Sequence, residues 1–147
     1  MANPDFDKLR EFLLPFAQNS LARHGEFFPF GAVVKTNGEL SPQAFMHDNE
    51  RPSSKEVIAM LYTVFCQQAA AGELTAIGIC FNAPVIPPGK TDKVDAICLQ
   101  LEHRQGESVK LCLPYHRSWF KLKYDTLYAT ETKNIVFQSV PPNAGAG

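Results

Sequence analysis

One segment of the sequence, residues 96–113, has the pattern of a β-hairpin so clearly that it constrains the whole fold. Apolar residues alternate with small or polar ones on both sides of a short polar stretch, and a period of two residues is typical of strands. Gly106 ends the stretch and suits the left-handed last position of a three-residue loop over residues 104–106. This loop predicts the cross-strand pairs Ile97–Leu113, Cys98–Cys112, Leu99–Leu111 and Leu101–Val109.

Length and composition exclude several classes of protein. A chain of 147 residues with 45% hydrophobic residues is long enough to bury a core without disulfides or a metal. The net charge of -1 gives no overall attraction to nucleic acid or to an anionic membrane. No apolar run approaches the about 20 residues of a membrane span, and residues 1–10 lack a signal-peptide core. We therefore expect a cytoplasmic protein with reduced cysteines, one domain over residues 1–138 and a flexible tail over residues 139–147.

The first predicted element is an amphipathic helix. Asn3 suits the N-cap and Pro4 the first helical position, because proline lacks a donor that is unpaired there anyway. Gly25 suits the C-terminal end. Pro15 conflicts with an unbroken helix, so either a kink or two short helices are expected. The aromatic residues of the following segment HGEFFPFG are expected to pack partly beside this helix.

The second predicted helix has the clearest boundaries. Ser53 and Glu56 form a capping box, and Gly72 ends the helix. The sequence Asn37-Gly38 predicts a hairpin with a two-residue turn in which both residues have positive φ. Besides the two strands of the 96–113 hairpin, alternation predicts strands at residues 31–36, 39–45, 74–82 and 117–128, and residues 47–52 read as a polar loop. The predicted fold class is α+β, with two helices packed on an antiparallel β-sheet in the order α-β-β-α-β-β-β-β, and a last short strand at residues 135–138.

The two faces of this predicted sheet differ in character. If the apolar sets of consecutive strands share one face, that face lies beneath both helices. The other face then collects small and mixed residues: Ala76, Gly78, Cys80, Ala96, Cys98, Gln100, Lys110 and Cys112. This face is either partly solvated or a docking surface, and a second copy of the chain, forming a homodimer, is the natural partner. The residues singled out for docking are Cys80, Cys98, Gln100 and Cys112.

The cysteines have a structural and a chemical interpretation. Free cysteine usually behaves as a small buried hydrophobe. The alternatives for Cys98 and Cys112 are a reversible redox pair, or a metal site that includes Cys80. Such a metal site lacks a fourth ligand, because His103 is predicted on the opposite face. The single histidines, including His103, are expected to be structural, and no catalytic, cofactor-binding or metal-binding residue is predicted.

A basic stripe is predicted on the strand at residues 117–128. Arg117, Trp119, Lys121 and Lys123 are expected to share one side of it. A basic stripe that carries an aromatic residue suits a phosphate or an acidic protein segment, since Trp and Arg are enriched at binding hot spots. The alternative is the solvent-exposed side of an edge strand, where lysines discourage aggregation.

Four segments carry a resemblance that spans most of the chain, up to Phe137. They read FFPFGAVVKTNGEL, AAAGELTAIGI, LEHRQGESVKLCLPY and NIVF. Together they resemble a family of small bacterial single-domain proteins with no assigned activity. The resemblance implies a single cytoplasmic α+β domain, and it implies no catalytic or ligand residue.

These features favour a non-enzymatic binding module that acts through protein–protein contact or self-association. The alternative is a small-molecule-binding or thiol-dependent protein that uses a groove between the helices and the sheet. Neither nucleic acid nor a membrane is expected as a partner.

Overall fold

The computed structural model describes residues 3–44, 53–119 and 121–138. The elements, in chain order, are α1 (Pro4–His24), β1 (Phe30–Lys35), β2 (Leu40–Gln43), α2 (Ser54–Ala70), β3 (Leu74–Val85), β4 (Val94–His103), β5 (Ser108–Arg117), β6 (Leu122–Tyr124) and β7 (Tyr128–Thr130). The predicted α+β class and the order of its elements are confirmed. The end of the second predicted strand, the predicted polar loop over residues 47–52 and the predicted tail lie outside the described residues.

All strands pair antiparallel in one sheet of order β2-β1-β3-β4-β5-β6. The outer edge of β5 is shared, because β7 pairs with its first half and β6 with its last residues. The predicted continuous strand over residues 117–128 is therefore wrong. The chain instead turns back after Arg117 and forms two short strands, β6 and β7, along the same edge.

Helix α1 begins and ends as predicted. Asn3 Oδ1 accepts hydrogen bonds from the backbone N–H groups of Asp5 and Phe6, at 3.1 and 3.2 Å. Gly25 has φ 75° at the C-terminal end, and its N–H donates to Leu21 O at 3.0 Å. The alternative of two short helices is wrong, since one helix continues through Pro15. Its buried stripe lies on both sides of the proline and packs on the sheet: Phe6, Leu9, Leu13, Ala17 and Leu21.

Helix α2 also has the predicted ends. Ser53 Oγ accepts from the N–H of Glu56 at 3.2 Å, which satisfies one of the unpaired donors of the first turn. At the other end Gly72 has φ 76°. The N–H of Gly72 donates to Ala69 O and that of Glu73 to Gln68 O, the pair of bonds that defines a Schellman motif.

The β4–β5 hairpin has the predicted register at every pair, including Cys98 opposite Cys112. Its loop is closed by two bonds, Gly106 N to His103 O at 2.9 Å and His103 N to Glu107 O at 2.8 Å. Gly106 has φ 109°, a conformation that glycine adopts without strain. The three-residue loop is therefore confirmed.

The β1–β2 hairpin uses the same loop geometry, which corrects the predicted two-residue turn. Gly38 N donates to Lys35 O at 2.8 Å, and Lys35 N to Glu39 O at 2.9 Å. Among the described residues only glycines have positive φ, so Asn37 does not, while Gly38 has φ 88°. A three-residue loop needs positive φ only at its last position, and Gly38 supplies it.

The two helices lie on opposite faces of the sheet, which corrects the predicted arrangement. Ile77, Ile79 and Phe81 of β3 pair with Glu102, Gln100 and Cys98 of β4 and face α2. The apolar residues of β4 face α1 instead: Ile97, Leu99 and Leu101. The small residues of β3 allow α1 to approach closely, because a Cβ atom at Gly78 would lie 2.7 Å from Leu13 Cδ1.

Residues 131–138, here called the C-terminal segment, complete the α2 side of the sheet. The predicted strand at residues 135–138 is wrong, since this part of the chain forms bends and a turn. Val136 and Phe137 are nevertheless buried in the cluster that contains Phe65 of α2.

Beside α1, Phe30 is buried as expected and contacts Phe16 and Phe27, with ring centroids 4.9 and 6.0 Å apart.

Candidate functional site

An open cleft of about 700 Å³ lies between α1 and the turn that joins β5 to β6. We call it the basic cleft. It is lined by Gln18, Leu21, Ala22, Arg117, Ser118, Trp119, Lys121, Leu122 and Tyr124. These lining residues include two cations and no carboxylate. The cleft therefore combines apolar side chains, such as Leu21 and Leu122, with positive charge.

The turn between β5 and β6 positions the aromatic residue of the cleft. Lys121 O accepts from the N–H of Ser118 at 2.9 Å and from its hydroxyl at 3.2 Å. This turn places Trp119 at its tip with 94% of its surface exposed. Tryptophan is enriched at protein interfaces, because its large ring is apolar and its N–H group can still bond to a polar partner.

Arg117 connects the two walls of the basic cleft. Its Nη2 donates to the backbone carbonyl of Gly25, the residue that caps α1. The guanidinium group also lies against Gly25, where a Cβ atom would be 3.5 Å from Nη2. The last turn of α1 carries two further basic residues, Arg23 and His24. The charged side chains that line the cleft itself, Arg117 and Lys121, are both cations, which favours an anionic group there.

Three of the four residues of the predicted basic stripe meet in the cleft. Arg117, Trp119 and Lys121 line it, whereas Lys123 does not. In β6 the alternation turns Leu122 and Tyr124 toward the cleft and Lys123 away from it. The prediction that all four share one side of a single strand is wrong, because the chain turns back after Arg117.

The predicted docking face does not exist as a surface. Cys80 faces α1 and is buried opposite Leu99, whereas Cys98 and Cys112 lie on the α2 side. Gln100 is buried on the α2 side as well. The four residues therefore share no exposed face on which a second sheet could dock. The alternative metal site that joins Cys80 to the other two cysteines is wrong for the same reason.

Glu102 of β4 is a charged residue in the core, which its place in the alternating pattern of the strand does not predict. It is 0% exposed. Its Oε1 accepts from the N–H of Val136 at 2.6 Å, and its Oε2 accepts from Gln100 Nε2 at 3.0 Å and from the Tyr62 hydroxyl at 3.4 Å. Burial and the nearby Glu102 carboxylate raise the pKa of Tyr62. Gln100 and Glu102, two residues apart on one strand, were the available signal, because this spacing puts both on one face.

Further hydrogen bonds hold the C-terminal segment against this polar pair. Gln100 accepts from the Thr132 hydroxyl at 2.9 Å and donates to Lys133 O at 3.0 Å. Ser108 Oγ donates to Thr132 O at 2.8 Å, and Asn134 Nδ2 donates to His103 O at 2.8 Å. The network satisfies its own polar groups, so it fixes an irregular segment and leaves no open ligand position.

The thiols of Cys98 and Cys112 are in contact on the α2 side, beneath Tyr128 of β7. Cys98 is 0% exposed and Cys112 2% exposed. Hydrogen bonds from Cys98 and Tyr128, together with the charge of Lys110, lower the pKa of Cys112 to about 6 against the opposing effect of burial. The pKa of Cys98 is raised by its bond to Cys112 and by burial. The Cys98 thiol also lies 3.9 Å from Ala96 O, a second acceptor for its single proton.

The other two cysteines have no such environment. Burial raises the pKa of Cys80 well above its usual value. Burial and then Glu102 raise the pKa of Cys66, which is only partly covered. Thiolate character, on which cysteine reactivity depends, is therefore concentrated at Cys112.

His103 has a structural role, as expected. Its Nε2 lies 2.9 Å from Asp5 Oδ2, and its Nδ1 accepts from the N–H of Gln105 at 3.1 Å. These bonds connect the β4–β5 loop to the first turn of α1. Across the described ranges, no three His, Cys, Asp or Glu side chains come together as a metal site.

Comparisons of the chain with protein families, with curated proteins and with solved structures find no match. The resemblance to a family of small bacterial proteins therefore stays a prediction. Among the described residues, no helix has the length and apolar character needed to cross a membrane.

Proposed function

We propose that this protein is a non-enzymatic binding module whose basic cleft holds an acidic segment of a partner protein. The observation that carries this proposal is the position of Trp119, 94% exposed between Arg117 and Lys121 at an open cleft without a carboxylate. Trp and Arg are the residues that most often dominate the energy of protein interfaces. An exposed aromatic ring beside two cations matches a segment with both a carboxylate and an apolar side chain.

The cleft favours a protein segment over nucleic acid. A net charge of -1 gives no general attraction to a polyanion. The lining residues of the cleft carry two cations, Arg117 and Lys121, and they also include the apolar side chains of Leu21 and Leu122. A short acidic segment with one apolar anchor would satisfy both features.

Trp119 provides a direct test because it is the only tryptophan in the chain. The probes are 12-residue synthetic peptides of graded net charge, each with one leucine or phenylalanine as an anchor. We expect the most acidic peptides to shift the tryptophan emission to shorter wavelength and to bind less tightly as salt is added. Equal binding of acidic, neutral and basic peptides would contradict the proposal, and so would the absence of any binding.

Two charge reversals form a matched pair of variants. Lys121→Glu changes a lining residue of the cleft, and Lys123→Glu makes the same change two residues away on a side chain that points out of it. We expect Lys121→Glu to weaken binding of the acidic peptides at least about tenfold, an effect of about 1.4 kcal/mol, and Lys123→Glu to leave it nearly unchanged. Equal loss in both variants would indicate only a general effect of net charge.

A further inference from the structure

The register of the β4–β5 hairpin places Cys98 and Cys112 at a special kind of cross-strand position. The loop bond from His103 N to Glu107 O makes residues 103 and 107 a hydrogen-bonded pair. Hydrogen-bonded and non-hydrogen-bonded pairs alternate along an antiparallel ladder, and the register is regular from there to Cys98–Cys112. Five steps along the ladder, Cys98 and Cys112 form a non-hydrogen-bonded pair. At such pairs the Cα atoms are about 4.5 Å apart, within the range that a disulfide spans.

The two sulfurs also have different environments, which assigns them different roles in the oxidation of a dithiol. The sulfur of Cys112 receives hydrogen bonds from Cys98 and Tyr128, and Lys110 lies nearby, so its thiolate is stabilised. Cys98 keeps its proton, since its own pKa is raised. One sulfur is therefore the nucleophile, and the other is placed beside it to complete a disulfide.

At the edge of the sheet, Tyr128 packs against the cluster of Cys98 and Cys112 and also borders an open cavity. Tyr128, which covers Cys112, belongs to a strand of three residues, and it also lines an open cavity of about 390 Å³ with Pro114 and Thr126. Movement of the Tyr128 ring into this cavity would expose the Cys112 sulfur without opening the helices. An oxidant of two heavy atoms needs a much smaller opening than a peptide disulfide does.

We propose that Cys98 and Cys112 form a peroxide-sensitive dithiol that closes to an intramolecular disulfide. The Cys112 thiolate attacks one oxygen of hydrogen peroxide, the O–O bond breaks, and hydroxide leaves, so that Cys112 becomes a sulfenic acid. The Cys98 sulfur then attacks the Cys112 sulfur, the S–O bond breaks, and water leaves with the Cys98 proton. Overall, two thiols are oxidised to one disulfide and one peroxide is reduced to two waters. This chemistry is independent of the basic cleft and does not rest on its proposed ligand.

The first test uses the folded wild-type protein and hydrogen peroxide at neutral pH. Peptide mapping by mass spectrometry without reductant should show Cys98 linked to Cys112, with the loss of two hydrogen atoms and reversal by a dithiol reductant. Cys66→Ser and Cys80→Ser should form the same link at the wild-type rate. A folded protein whose four thiols all resist peroxide would overturn the proposal, as would a product in which Cys66 is oxidised first.

Two variants separate the roles of the sulfurs. In Cys98→Ser the sulfenic acid on Cys112 has no resolving thiol, so dimedone should label Cys112, whereas the wild type should give little adduct. In Cys112→Ser, Cys98 should stay reduced. Far-ultraviolet circular dichroism identifies a variant that fails to fold, in which case Cys98→Ala and Cys112→Ala replace the serine pair. Equal labelling of Cys98 and Cys112 in the two variants would contradict the assignment.

The contribution of Tyr128 is tested by the pH profile of the reaction. Tyr128→Phe removes the hydroxyl that donates to Cys112 and keeps the ring that covers it. We expect the midpoint of the rate profile to move to higher pH and the rate at neutral pH to fall severalfold. A profile identical to that of the wild type would show that the Tyr128 hydroxyl does not position or activate the thiolate.

Discussion

Leu101 and Glu102 are neighbours in β4, yet Leu101 packs among apolar side chains and Glu102 is held by hydrogen bonds. Leu101 is 1% exposed and lies beneath α1. It belongs to a cluster of apolar side chains, in which Tyr115 and Tyr124 carry hydroxyl groups and Cys80 carries a thiol. Glu102 lies 0% exposed on the other side and accepts bonds from Val136, Gln100 and Tyr62. The α1 side is stabilised by the burial and close packing of apolar side chains. The α2 side is held in part by directional bonds.

The difference follows from what covers each side. A regular helix satisfies its own backbone groups, so α1 needs only an apolar face beneath it. The C-terminal segment is irregular, and its backbone N–H and C=O groups need partners from side chains when they are buried. Glu102, Gln100 and Ser108 supply those partners. The core on this side therefore contains polar side chains because the segment that covers it is irregular.

The largest expected effect tests whether Glu102 has this role. Glu102→Ala removes the acceptor oxygens to which the Val136 N–H and Gln100 Nε2 donate. Because these buried donors lose hydrogen bonds, we expect the free energy of unfolding to fall by about 3 to 5 kcal/mol. Chemical denaturation measures this loss. Leu101→Ala is the matched change on the other side, and its expected cost is about 2 to 5 kcal/mol from the cavity it creates.

Hydrogen exchange distinguishes these two variants even if their stabilities are equal. Glu102→Ala should lower the protection of the Val136 and Phe137 amides more than that of the β4 amides, because the C-terminal segment is released first. Leu101→Ala should lower protection in both places together. Glu102→Gln keeps one acceptor oxygen and should lose less than Glu102→Ala. The same exchange pattern in all three variants would show that hydrogen bonds to Glu102 do not hold the C-terminal segment separately from the rest of the sheet.

Sequence patterns predicted the strands from β1 to β5 well, but they predicted the strands after Arg117 and the relation between distant strands poorly. Alternation and Gly106 were sufficient to predict the register of β4 with β5, because a three-residue loop fixes which residues of the two strands lie opposite each other. The register of β3 with β4 depends on the long connection between Val85 and Val94, and helices on both sides made either face acceptable for the apolar set of β3. The burial of Glu102 depends on residues 131–138, an irregular segment without periodicity. The residues of the basic cleft could be selected as a basic stripe with an aromatic, but the turn that brings them together could not.

A smaller effect tests the loop that decides which side each residue of β4 and β5 faces. Gly106 has φ 109°, and a Cβ atom there would meet nothing within 4 Å. Gly106→Val should therefore lower the free energy of unfolding by about 1 to 2 kcal/mol through backbone strain alone. Gln105→Val, at the exposed neighbouring position, should change it by less than about 0.5 kcal/mol. Near-equal stability of the two variants would show that the loop does not require positive φ at residue 106.

The smallest effect at neutral pH contrasts one tyrosine from each side of the sheet. Tyr62 donates to Glu102 over 3.4 Å, and Tyr115 donates to Asn82 Oδ1 over 2.7 Å. At pH 7, Tyr62→Phe should therefore cost less than about 0.5 kcal/mol and Tyr115→Phe about 1 kcal/mol. Both variants keep the ring, so the packing of each side is unchanged, and thermal or chemical denaturation measures the difference.

The order of these two variants should reverse in their effect on alkaline stability. Burial raises the pKa of both tyrosines, and the Glu102 carboxylate adds to the rise at Tyr62, which is the larger of the two. Above pH 10 a tyrosine ionises in the unfolded chain while it stays protonated in the native protein, so stability falls by up to about 1.36 kcal/mol per pH unit for each such group. The contribution is complete below pH 10 and is lost as the pH rises toward the native pKa. Tyr62→Phe should flatten this alkaline decline more than Tyr115→Phe does, because only Tyr62 hydrogen-bonds to a buried carboxylate. An equal or smaller flattening in Tyr62→Phe would mean that the polar side exerts no stronger electrostatic effect than the apolar one.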